Sequence, residues 1–173
     1  MLLHSHTPLK ELNKFLHQHH IISLDDAVVQ MSIPGEGNMN VVYRVETLQK
    51  KSLILKQSRP FVQRYQSIPA PLERISVEHA FYTATSQHEV RNTLPSVIDF
   101  FSGHNLLVLE DLGEGSDLTN LYTKRSFSPT QLEQTVKIAR GIHECETPED
   151  YPDNLQLLQL NHCLLYTSDA ADD

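Results

Sequence analysis

Leu9, Leu12, Phe15 and Leu16 recur at intervals of three and four, which predicts an amphipathic helix over residues 8–19. Thr7 followed by Pro8 supplies a start signal, an N-cap and a proline at the first helical position. Ser23, with Asp26 three residues on, predicts a short helical turn with a capping-box-like start. A strand is expected over residues 29–33, ahead of Pro34. After a glycine-containing turn, residues 41–47 alternate in character and are rich in β-branched side chains, which predicts a second strand. Gln49-Lys50-Lys51 is a polar turn, and residues 53–56 form a short apolar strand antiparallel to the one before it.

Residues 57–71 contain Pro60, Pro69 and Pro71 and read as an extended loop. Residues 72–86 predict a helix with Ile75, His79 and Tyr82 or Phe81 on one face. Strands follow at 97–101 and, after the turn Gly103-His104-Asn105, at 106–109, where a continuous apolar run points to a buried position. Ser128-Pro129-Thr130-Gln131 repeats the helix-start pattern, with Gln131 at the capping-box position. Leu132, Val136, Ala139 and Ile142 carry that helix to about residue 146, with an apolar face that has little to pack on. The order predicts an α+β fold, an antiparallel sheet crossed by one helix and followed by helical structure.

Composition narrows the classes. A hydrophobic content of 39% with 21% charged residues describes an ordinary folded chain rather than a disordered one. The formal charge of −8 and the lack of a basic stripe argue against nucleic acid as a partner. No apolar run has the length of a membrane span, and the N-terminus lacks an apolar signal segment, so a cytoplasmic location is expected. His17-Gln18-His19-His20 has no Cys or carboxylate at metal-ligand spacing and reads as a solvated helix end.

The stretch Gly35-Glu36-Gly37-Asn38-Met39-Asn40-Val41-Val42 carries the most specific chemistry. Glycines let backbone amides approach an anion without a Cβ in the way. A dinucleotide fingerprint or a P-loop opens a helix, whereas this turn opens a strand. The phosphate-binding pattern that opens a strand is G-x-G-x-x-G-x-V, matched here by Gly35, Gly37, Asn40 and Val42, with Asn40 in place of the third glycine. An asparagine there can donate an amide hydrogen bond to a phosphate and tolerates left-handed geometry. Lys56 ends the apolar run Leu53-Ile54-Leu55, where a buried ammonium needs a partner. Glu78 on the following helix is the candidate. The strand Leu106-Leu107-Val108-Leu109 then breaks into Glu110-Asp111-Leu112-Gly113, a linker whose Glu110 carbonyl and Leu112 amide could pair with an adenine edge.

In this order the residues resemble the N-terminal lobe of the aminoglycoside phosphotransferase and choline kinase-like superfamily, nearest to the 5-methylthioribose kinases. The matching strings are Gly35 to Asn40, Val45, Leu55-Lys56-Gln57, Pro60-Phe61-Val62, Leu72-Glu73-Arg74 leading to Glu78, and Gly141-Ile142-His143. The resemblance spans residues 30 to about 145. It implies a kinase-like lobe over residues 1–113, a five-stranded antiparallel sheet with one crossing helix, and the first helices of a second, helical lobe over 114–162. It also implies ATP contacts at Gly35, Gly37, Asn38, Asn40, Val42, Lys56, Glu110, Asp111 and Leu112, with Glu78 pairing Lys56. The implied activity is magnesium-dependent transfer of the γ-phosphoryl group of ATP to a hydroxyl of a small molecule. The acceptor would be methylthioribose or another small hydroxylated compound, since the Trp-containing stretch of methylthioribose kinases is replaced by Gln66-Ser67-Ile68-Pro69-Ala70-Pro71. A non-catalytic nucleotide-binding or interaction module is the alternative.

In that superfamily the catalytic aspartate and the magnesium ligands follow an H-x-D motif, and no such motif occurs in this sequence. His143-Glu144 lacks the following acid, and Asp150 and Asp153 read as loop acids. Residues 163–173, Cys163 to Asp173, resemble one reading frame of a transposon-end adapter used for sequencing libraries. The expectation is therefore an N-terminal fragment, inactive by itself. Cys145 is then the only native cysteine and fits a reducing compartment.

Overall fold

The five strands form a single antiparallel sheet: β1 (Val28–Ser32), β2 (Val41–Thr47), β3 (Ser52–Gln57), β4 (Val97–Phe101) and β5 (Leu106–Glu110), in the spatial order β1-β2-β3-β5-β4. The computed structural model describes residues 1–35, 39–114 and 128–152. Among the described residues three α-helices accompany the sheet: α1 (Leu9–Gln18), α2 (Arg74–Ala84) and α3 (Pro129–His143). The fold is α+β, as the order of the predicted elements required. The adapter-like tail and Asp153 lie outside the described residues.

Alternation along the strands sorts their side chains onto two faces. Tyr43, Val45, Leu55, Leu106 and Val108 meet Leu12, Phe15 and Leu16 of α1 in one cluster. Leu107 and Leu109 meet Ile75 of α2 in another, with Ile54, Tyr82, Val97 and Phe100 packed around them. Helices on both faces explain why β5 reads as a continuous apolar run. Each fully buried Leu or Val contributes roughly 1.5–3 kcal/mol of transfer free energy.

Several boundaries differ from expectation for identifiable reasons. Pro8, with φ −62° and ψ 127°, is the extended N-cap of α1 and offers no side-chain cap. The Thr7 hydroxyl instead accepts a bond from the His4 amide at 2.8 Å. At the other end His20 turns left-handed at φ 57°, and the Ile21 amide returns to the Leu16 carbonyl at 2.9 Å. The helix end is solvated at Gln18, His19 and His20, as expected, while His17 is half-buried. His17 Nε2 lies 2.8 Å from the Asp26 carbonyl, and the His19 ring packs 4.5 Å from both Phe15 and Phe101.

Asp26 caps no helix. It is 2% exposed, and its Oδ1 accepts bonds from the Ala27 and Gln49 amides, tying the start of β1 to the β2–β3 turn. Asn13 completes the edge of β1 by bonding both the amide and the carbonyl of Val28. Helix α2 begins two residues later than predicted, because Leu72 and Glu73 are spent in the preceding turn. The Ser128/Gln131 capping box of α3 forms in both directions, and the helix ends at His143 rather than near 146. Gly141 brings α3 against the 3₁₀ turn Glu89–Thr93, where an added Cβ would come 3.0 Å from Val90 Cβ.

Candidate functional site

Lys56 takes its direction from the pleat of β3. Leu55 and Gln57 point to the α1 side, so Ile54 and Lys56 point to the α2 side. Its cross-strand neighbours are Val42 on β2 and Leu107 on β5. On α2, Ile75 is fixed against Leu107 and Leu109, and Glu78 follows one turn later on the same face. Lys56 Nζ therefore meets Glu78 Oε1 at 2.7 Å, with the two side chains 28% and 22% exposed. The pair is half-sheltered, open enough for a ligand to reach the ammonium.

Beyond Lys56 on β2 lie Val42 and the end of the glycine hairpin. A cavity of about 90 Å³ is lined by Ile33, Gly35, Asn40, Val42 and Gln63 among others. That is well below the ~300 Å³ at the lower end of small-molecule pockets. Gly35 keeps a negative φ, and an added Cβ there would meet nothing within 4 Å. Position 35 thus does not use a conformation reserved for glycine. What the glycine leaves is clear space above the strand. Asn40 likewise has no positive φ. Its Oδ1 accepts from Arg74 Nε at 2.8 Å and, at 3.4 Å, from Ser58 Oγ. Gly37 and Asn38 lie outside the described residues.

The linker after β5 is held by side chains. The Glu110 amide donates to the Ser96 carbonyl at 2.8 Å, and its carboxylate accepts from the Ser96 amide at 3.0 Å. Asp111 is gripped by Arg44, with Nε at 2.7 Å and Nη2 at 3.0 Å, and also accepts from Ser52 Oγ and the Gly113 amide. Burial raises the Asp111 pKa, but these bonds outweigh it and hold the carboxyl below its ordinary range. The carboxylate is committed to the frame, so contact with a ligand from Asp111 would have to be made by its backbone. Leu112 is 66% exposed, and Gly113 turns the chain at φ 84°, a conformation that favours glycine.

The structure thus brings Asn40, Val42, Lys56 and Glu78 to one side of the sheet, with Glu110 to Leu112 following the end of β5. Two participants carried no local signal in the sequence. Arg44 reads as a polar residue in an alternating strand and proves to anchor the linker. Arg74 stands in the matching string Leu72-Glu73-Arg74 with no role assigned to it and proves to join Met39 and Asn40 to α2. A separate cleft of about 430 Å³ between the 3₁₀ turn Glu89–Thr93 and α3 shares none of these residues. Among the described residues no group of three or more His, Cys, Asp or Glu could hold a metal ion, and no helix is long and apolar enough to cross a membrane. Comparison with protein-family models and with curated proteins gives no match.

Proposed function

We propose that this chain is the nucleotide-binding lobe of an ATP-dependent phosphotransferase acting on a hydroxyl of a small molecule. The observation that supports it best is the Lys56–Glu78 pair, 2.7 Å apart and partly open on the sheet face that also carries Val42 and Ile54. Glu78 holds the ammonium in place, and the ammonium would neutralise phosphate oxygens of the nucleotide. Asn40 would offer its amide N–H to the same phosphates. Val42 and Ile54 would cover the base, with backbone groups of Glu110 and Leu112 at its edge.

Among the described residues no group of three or more His, Cys, Asp or Glu could hold a magnesium ion. Calorimetric titration of the chain with ATP tests the reading. Saturable binding that is lost in Lys56→Met supports it, and absence of binding to the intact chain sinks it.

The alternative is a non-catalytic nucleotide-binding or interaction module. ATP turnover against a panel of hydroxylated acceptors, using the product of an independent clone of the locus, separates the two. Transfer supports the enzyme, and binding without transfer supports the module.

A further inference from the structure

We propose that Arg74 is a positioning residue that fixes Met39 and Asn40, at the end of the glycine hairpin, to the helix carrying Glu78, and so sets how the triphosphate of a nucleotide is held. The inference rests on the nucleotide reading above. Arg74 opens α2, one turn ahead of Glu78, and its side chain reaches back across three separate stretches of chain. Nε donates to Asn40 Oδ1 at 2.8 Å, and Nη2 donates to the Met39 carbonyl at 2.8 Å. Nη2 also reaches the Phe61 carbonyl at 3.4 Å, while Nη1 donates to the carbonyls of Arg59, at 2.8 Å, and Pro71. Hairpin, proline-rich loop and helix start converge on one planar group, and the fan of donors that makes this possible is particular to arginine.

Two consequences bear on ligand binding. With its oxygen taken by Arg74, the Asn40 side chain has its amide nitrogen as the group left to offer a phosphate oxygen. Every described acceptor of Arg74 is also an uncharged oxygen, so its positive charge is not cancelled by a carboxylate among them. Burial lowers the guanidinium pKa, yet an arginine stays protonated in a protein. A cation held beside the hairpin favours an anionic ligand there over a neutral one.

Calorimetric titration of the full chain with ATP and, separately, with adenosine reads this out. Arg74→Met should weaken ATP about tenfold or more, the scale of losing hydrogen bonds to a charged group, while adenosine changes less than about twofold. Arg74→Lys keeps the charge but cannot span the same acceptors, and should recover only part of the loss. Circular dichroism checks the fold of each variant. If the methionine variant does not fold, the lysine variant carries the test through a reduced ratio of ATP to adenosine affinity. Equal losses for ATP and adenosine, or unchanged ATP affinity in the folded variants, overturn the proposal. Failure of the unsubstituted chain to bind ATP sinks the nucleotide reading itself, before any variant is compared.

Discussion

Lys56 Nζ lies 2.7 Å from Glu78 Oε1, joining β3 to α2 across 22 residues of sequence. Both side chains keep about a quarter of their surface in solvent, so the pair contributes on the order of 1 kcal/mol or less to stability. Lys56→Met should therefore barely move the melting temperature while lowering ATP affinity by about tenfold or more. Paired thermal melts and nucleotide titrations check it. A large thermal loss with unchanged affinity would make the pair a fold element only.

Tyr82 packs in the α2 cluster, and its phenol is pushed up to about 12 from an ordinary value of 10.0, by burial first and by the Glu78 carboxylate second. The sign follows from which state releases the proton first. The unfolded phenol ionises near 10, whereas the folded one stays neutral. Stability from Tyr82 is thus intact below pH 10 and falls as pH rises toward 12. Denaturant melts at pH 9 and pH 11 should show this decline in the parent chain and less of it in Tyr82→Phe. Glu78→Gln should move the phenol titration, followed by ultraviolet absorbance, part of the way back toward 10.

Asp111 gives the opposite pH dependence. Its folded pKa lies below the ordinary 3.8 because bonds from Arg44, Ser52 and the Gly113 amide outweigh the effect of burial. The stability it supplies is complete above about pH 4 and is lost as pH falls through the folded value. Asp111→Asn should lower the melting temperature by several degrees at pH 7, since it weakens the hold on Arg44. The difference between parent and variant should narrow at pH 3. A gap that stays constant across that range would mean that packing, not charge, holds the linker.

The strand over residues 41–47 was legible because one of its faces is more deeply buried than the other, and β5 because both of its faces are covered. Residues 41–47 form a strand with the predicted bounds because burial at every second position records that asymmetry, and residues 97–101 keep their predicted bounds without such a period. The Ser128/Gln131 box was legible because both partners sit within one helical turn. Glu78 could be paired with Lys56 from order and spacing. Arg74 could not be read in the same way, since its acceptors come from positions 39, 40, 59, 61 and 71 and meet only once the sheet and loop are folded. Asp26 was misread for a related reason. Its Gln49 partner is remote in sequence, so a local capping motif was the nearest pattern that its neighbours could offer.

Helix α3 displays Leu132 and Val136 at 52% and 57% exposure, one turn apart on the same face. Side chains this exposed add little to stability but present an apolar stripe to other molecules. Leu132→Glu combined with Val136→Lys should reduce self-association of the chain without lowering its melting temperature. The glutamate would sit in the first turn of the helix, where its charge is favourable, and the lysine four residues on would pair with it, together adding a few tenths of a kcal/mol. Light scattering over a concentration series reads the association, and a thermal melt reads the stability. If the double variant scatters like the parent, the stripe is not what brings copies together. If it melts well below the parent, Leu132 and Val136 are packed in solution, contrary to their exposure here.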